Sequence, residues 1–367
     1  MRNTTFYNAL RYMTNDRIPG LIIACRSGYC KLWPVLVTFC WLTTATAAPE
    51  LINLKDIGAL YEFPAPKQTA TNVTFSGKYT TMEFEAGSRK FLFNKTLVWL
   101  NEPAIIKGAD LAITRFDANT TIDTLLRLNQ RRSVTNNITI VIDPGHGGKD
   151  TGSIGPHKAC EKKIVLDLAN SVKKRLEKQQ ISVILTRKWD SMLTRTERIN
   201  IARKNKAAIF LSIHINSATN SEASGIETYI MSGAGFSSTA GNSTNKAASS
   251  GNKFDNANIQ LAYCVHRQLL ASTGAIDRGI RHARFDVLQD APCPAILIEC
   301  GFISNPEEEL RLTKKQYRES IAEGVANGIQ TLLDPSYKPA QTNQKNLVNP
   351  TGNRSNQQPA TKPAPKR

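Results

Sequence analysis

An α/β fold is predicted for the larger part of this chain: a mostly parallel sheet with helices on both faces, preceded by a small β-rich module. Three observations lead there. Over residues 138–333 strand and helix patterns alternate, which is the pattern of strands joined by crossover helices. The strand candidates in that region include continuous apolar runs such as Ile138–Asp143 (ITIVID), as expected where both faces of a strand are covered. Upstream, residues 50–128 hold short β-leaning stretches separated by turn residues.

Taken in order, residues 1–48 have the layout of a secretory signal. Arg2, Arg11, Arg17, Arg26 and Lys31 precede the apolar run Leu32–Leu42, and small residues follow, with Ala45-Thr46-Ala47 as an A-x-A site. The apolar run is about half of what a bilayer span requires, and Pro34 interrupts it. No stable membrane span is therefore expected; a membrane anchor or buried helix is the alternative, and Met13 is an alternative start. Export places the chain in the periplasm or cell envelope and argues against nucleic acid as a partner. The 367 residues carry 47 Lys+Arg against 30 Asp+Glu, a formal charge of +17. Such a surface favours polyanions, and anionic wall polymers fit the compartment.

In the β-rich module, Thr71–Phe75, Tyr79–Phe84 and Arg89–Phe93 are punctuated by Gly77, Gly87 and Asn94-Lys95. Residues 129–137 (NQRRSVTNN) are polar and form a linker. The α/β domain then runs over 138–333. After the first strand, Ile164, Leu168, Val172 and Leu176 fall at helical spacing within Lys162–Lys178. Ser182–Thr186 is a strand and Arg195–Asn205 a polar helix. Strands Ala207–His214 and Gly225–Met231, a helix over Ile259–Ala271 and the strand Ala295–Gly301 follow. Asn305-Pro306 with Glu307, Glu308 and Glu309 is a helix start, and a last helix covers Lys315–Leu333. Ser232–Ser250 is Gly/Ser/Thr/Asn-rich and predicts a mobile surface loop. Residues 335–367 contain no acid and predict a disordered basic tail. Cys160, Cys264, Cys293 and Cys300 are too sparse for a disulfide framework, and pairing is left open.

Four residues stand out chemically. The first strand runs into Asp143-Pro144-Gly145-His146-Gly147-Gly148, where glycines let the chain turn sharply around an accessible imidazole. Glu161 opens the next helix. His214 ends a buried strand on which Ser212, His214 and Asn216 share one face. Two histidines and a carboxylate form a catalytic zinc set that keeps a fourth position open, although each residue alone has a structural explanation. Glu299 lies in the apolar strand ILIECGF, where an unpaired carboxylate is costly. It is either a salt-bridged core acid or a general base beside a metal.

Together IVIDPGHGGKDTG, Glu161, SIHIN, GIETYIM and ILIECGFISNPEE are collinear over 138–333 and resemble the zinc-dependent N-acetylmuramoyl-L-alanine amidase family (the Amidase_3 type). The resemblance implies that His146, Glu161 and His214 bind one Zn2+ and that Glu299 is the catalytic carboxylate. It implies hydrolysis of the amide between N-acetylmuramic acid and L-alanine, in wall turnover or daughter-cell separation. Peptidoglycan is then the partner, with a protein activator as a further candidate. Asp143 or a neighbouring carbonyl is a candidate for orienting a ligand imidazole, while Asn216 and Arg281 are candidates for binding substrate. His157 and Cys160 lie near Glu161, but the ligand set is complete without them.

Two features depart from the family. Some members carry a helical insertion that occludes the zinc, whereas the insertion here is Gly/Ser-rich and not amphipathic. The N-terminal stretches KFLFNK and VWLNEP are similar to the small β-rich domain of some copper amine oxidases, without any histidine to bind copper. The alternatives to an amidase are a zinc peptidase acting on the stem peptide and a non-catalytic wall-binding protein.

Overall fold

A computed structural model describes residues 49–130, 138–239 and 246–337. The signal, most of the linker, the middle of the Gly/Ser-rich loop and nearly all of the basic tail lie outside the described residues. The N-terminal region supplies β1 (Leu51–Asn53), β2 (Lys67–Gln68), β3 (Asn72–Ser76), β4 (Thr81–Glu85), β5 (Lys90–Phe93), β6 (Thr96–Trp99), β7 (Ile105–Lys107) and β8 (Asp110–Thr114). The α/β region supplies β9 (Thr139–Pro144), β10 (Ser182–Leu185), β11 (Ile209–Asn216), β12 (Ile226–Met231), β13 (Asp277–Ala283) and β14 (Ala295–Phe302). Its longer helices are α1 (Glu161–Lys178), α2 (Arg195–Lys204), α3 (Asp255–Thr273), α4 (Pro306–Thr313) and α5 (Lys315–Leu333).

One sheet runs in the order β10-β9-β11-β14-β12-β13-β6-β5-β4-β3-β2, and a smaller one is ordered β1-β8-β7. From β10 to β14 all neighbours are parallel; β12 is antiparallel to β14 and parallel to β13. Ile140, Val141 and Ile142 of β9 are fully buried, as a strand covered on both faces must be. The α1 stripe Ile164, Leu168, Val172 and Leu176 is buried against that sheet. Thr194 and Glu197 form a reciprocal capping box at the start of α2, and the Asn305 side chain accepts two backbone N–H groups at the start of α4. At Gly328 a Cβ would stand 2.4 Å from the Val265 Cα, so α5 lies directly on α3.

The N-terminal strands extend the large sheet. Val98 of β6 pairs with Ile280 of β13, the Leu97 N–H donates to Asp277, and His282 Nε2 lies 2.7 Å from the Trp99 carbonyl oxygen. The joint is β13, whose DRGIRHA sequence looks like polar loop. Its Ile280 and His282 are buried, and Gly279 admits the Leu97 and Trp99 side chains to within about 3 Å of where a Cβ would be.

Candidate metal centre

The parallel strands β9, β11 and β14 end side by side, and in such sheets ligands gather at the carboxyl ends. Leaving β9, the chain turns through His146 at φ +59° and Gly147 at φ +131°. A Cβ at Gly145 would stand 2.2 Å from the His214 ring. At Gly152, φ +62°, it would stand 2.6 Å from Glu161 Oε2 and 2.7 Å from the His146 ring. Bare backbone at both places lets the two imidazoles and the carboxylate close in on one another.

Glu161 is the first residue of α1 and is buried. Its Oε1 accepts the Ile215 N–H at 3.0 Å and its Oε2 the Ser153 N–H at 2.8 Å, which fixes the plane of the carboxylate. His146 Nε2 and His214 Nδ1 each lie 3.1 Å from Oε1. The three side chains offer ligand atoms within 4.8 Å of one another, a grouping able to hold a metal ion. Burial alone pushes the Glu161 carboxyl up, but hydrogen bonds from both imidazoles outweigh it and hold it well below the usual carboxylate range. For His146 burial pushes down, and the bonds to Glu161 and Asp150 raise it above its ordinary value. Asp150 Oδ2 lies 2.9 Å from His146 Nδ1. A carboxylate only accepts, so Nδ1 donates to Asp150, and Nε2 faces the Glu161 carboxylate at the centre. A fixed carboxylate between two imidazoles, one of them oriented by an acid, fits a divalent cation.

Glu299 is the register partner of His214 on the adjacent strand. Its Oε2 is buried without a hydrogen-bond partner among the described residues, and burial followed by the charges of Glu161 and Glu227 raises its carboxyl well above the ordinary value. His146, His214 and Glu299 line a cleft of about 590 Å³, walled by Met192–Arg195 on one side and Arg284–Val287 on the other.

Asp143 does not orient an imidazole. It is buried, with Arg198, Thr186 and Ser212 donating to it at 2.7, 2.6 and 2.9 Å. Arg198 also donates to the carbonyls of Pro144 and His146, and Arg187 to those of Pro144, Gly145 and Lys162. Two buried guanidinium groups thus hold the backbone around His146. Asp150, Arg187 and Arg198 are not singled out by the sequence; the one local signal is an acid four residues after His146. Arg198→Met would leave Asp143 buried without its counter-charge. Denaturant unfolding should then show a loss of about 3–5 kcal/mol, and a loss under about 1 kcal/mol would refute the assigned pairing.

Asn216 and Arg281 both turn to a second buried acid, Glu227 of β12, at 2.8 and 2.5 Å. The Arg281 guanidinium also donates to the Thr239 carbonyl and lies 4.6 Å over Trp99, so it faces the joint with the N-terminal strands and not the cleft. His157 is held by the buried Glu309 at 2.8 Å, and the Cys160 thiol by the Thr151 carbonyl at 3.3 Å. His266 sits in the core between Thr228 and Asp277. Cys160, Cys293 and Cys300 are free thiols. The described ends of the Gly/Ser-rich loop are pinned, with Arg284 donating to the carbonyls of Gly233 and Ala247 and Arg89 to those of Ser237 and Ser238.

The Amidase_3 model, described as N-acetylmuramoyl-L-alanine amidase, matches residues 140–331, just over half of the chain. Over 214 residues the chain is 33% identical to the N-acetylmuramoyl-L-alanine amidase AmiA of Salmonella typhimurium, covering 52% of this chain and 74% of AmiA. It is 32% identical over 200 residues to the N-acetylmuramoyl-L-alanine amidase LytC of Bacillus subtilis, covering 54% of this chain but 36% of LytC. A solved N-acetylmuramoyl-L-alanine amidase from Clostridium difficile 630 superposes with a TM-score of 0.47 at 32% identity, over 55% of this chain and 100% of that one.

Proposed function

This chain belongs to the N-acetylmuramoyl-L-alanine amidase family and is a peptidoglycan amidase, and from that premise we propose which of its residues carry the reaction. Zinc is held by His146, Glu161 and His214, and Glu299 is the catalytic carboxylate. The observation that carries this reading is the convergence of three potential ligand atoms beside a half-buried acid whose Oε2 has no hydrogen-bond partner among the described residues. The catalytic domain takes in 138–333, with the 50–128 region extending its sheet.

When bound, zinc supplies a Lewis acid that polarises a carbonyl oxygen and lowers the pKa of water. Ile215 and Ser153 hold the Glu161 carboxylate still through their N–H groups, and Asp150 fixes the tautomer of His146. Glu299 takes a proton from the attacking water and delivers it to the departing alanine nitrogen. The water oxygen bonds to the lactyl carbonyl carbon, the C–N bond breaks, and a stem peptide with a free L-alanine amine leaves. The compartment is the cell envelope and the role is wall turnover or daughter-cell separation. Among the described residues no helix is long and apolar enough to cross a membrane.

Mass spectrometry of purified peptidoglycan after incubation with the zinc-loaded protein tests the reading. Intact stem peptides carrying a free L-alanine amine are expected. Fragments cut inside the peptide would move the assignment to a peptidase. Asp150→Asn weakens the acceptor that orients His146, and zinc affinity measured by chelator competition should fall about 10–100-fold. Unchanged affinity would remove Asp150 from the proposed centre.

A further inference from the structure

Nine large hydrophobic side chains are exposed among the described residues, and three of them, Ile154, Trp189 and Met192, ride on the loops packed around His146. Trp189 is 69% exposed and Met192 58%. Their loop is strapped down. Asp190 accepts the Gly148 N–H at 2.7 Å and the Lys162 ammonium at 2.7 Å, and Arg187 donates to the Trp189 carbonyl. A Cβ at Gly147 would stand 2.2 Å from the Ser191 carbonyl oxygen, so the loop sits directly on the turn that carries His146. An indole on a fixed backbone gives up little freedom when a ligand covers it. Met192 lines the cleft, whereas Trp189, three residues earlier, stands outside its lining.

Resting on the amidase reading above, we propose that Trp189, with Met192 beside it, is a saccharide-stacking subsite for the sugar next to the reacting muramyl residue. The apolar face of a pyranose matches an indole, and the exposed Lys188 next to it in the chain suits a sugar hydroxyl. The subsite makes the enzyme favour glycan polymer over single-sugar muropeptides.

Two measurements on the full chain test this. Trp189→Ala should raise KM for polymeric peptidoglycan about tenfold, with kcat kept and KM for N-acetylmuramoyl-tripeptide at the parent's value. Equal effects on both substrates, or none on either, would overturn the subsite. Glu299→Gln protein titrated with peptide-free glycan strands should show a tryptophan fluorescence change that is lost when Trp189→Ala is added. A flat titration would also overturn it. Because this second arm needs no turnover, it separates failure of the subsite from failure of the amidase reading, which would appear as no stem-peptide release by the parent.

Discussion

Glu299→Gln is expected to lower kcat on peptidoglycan by about 10²–10⁴-fold and to leave bound zinc at the parent's level. The amide keeps the shape of the side chain and can still hydrogen bond, but it cannot take a proton from water. Position suits Glu299 to that proton transfer, because β14 places it opposite His214 and no group among the described residues satisfies Oε2. The same substitution separates catalysis from folding. Burial and the neighbouring acids raise the Glu299 carboxyl in the folded, metal-free protein, so the folded state there binds a proton more tightly than the unfolded one. Ionised Glu299 therefore lowers stability above its folded pKa, and that penalty fades as pH falls towards the ordinary carboxylate value. Metal-free Glu299→Gln should unfold at a higher temperature than the metal-free parent near neutral pH. The gap should narrow on acidification. A variant with parental kcat would end the general-base assignment; one less stable at neutral pH would mean that Glu299 is a satisfied core acid.

Apart from β13, the strands and longer helices of the α/β region were legible because each obeys a local rule. Ile140–Ile142 is a continuous apolar run, Ile164 to Leu176 keeps helical spacing, and Asn305-Pro306 with three acids starts a helix. The four chemical residues were legible because each is placed by such an element: His146 after β9, Glu161 at the start of α1, His214 and Glu299 on β11 and β14. Their supports were not. Arg187 and Arg198 are buried cations whose acceptors are backbone carbonyls and Asp143, contacts that exist only once β9, β10 and α2 have packed. The strand β13 escaped because DRGIRHA lacks an apolar pattern. Its charged residues are satisfied laterally, Asp277 by His266 and Leu97 N–H, and Arg278 and Arg281 by Glu227. For that reason Arg281, a substrate candidate on charge alone, is committed to a buried acid. The joining of the N-terminal strands to the large sheet hangs on that same strand.

His214→Ala is expected to abolish both zinc binding and turnover. Two of the three proposed ligands remain in the variant, and the pocket facing Gly145 loses the ring that fills it. Metal analysis after dialysis should find about one zinc per parent chain and nearly none per variant chain. Binding to the folded state alone stabilises by about 2.7 kcal/mol at a free concentration of 100 Kd. Added zinc should therefore raise the parent's melting temperature and leave the variant's unchanged. Chelation of the parent should remove activity, and zinc should restore it. The metal-free variant should nevertheless stay folded, since Ile215 and Ser153 still satisfy both Glu161 oxygens and His146 still faces one of them. If His214→Ala retained stoichiometric zinc and a zinc-dependent melting shift, the ion would sit on other residues, and the division of labour between His214 and Glu299 on adjacent strands would have to be redrawn.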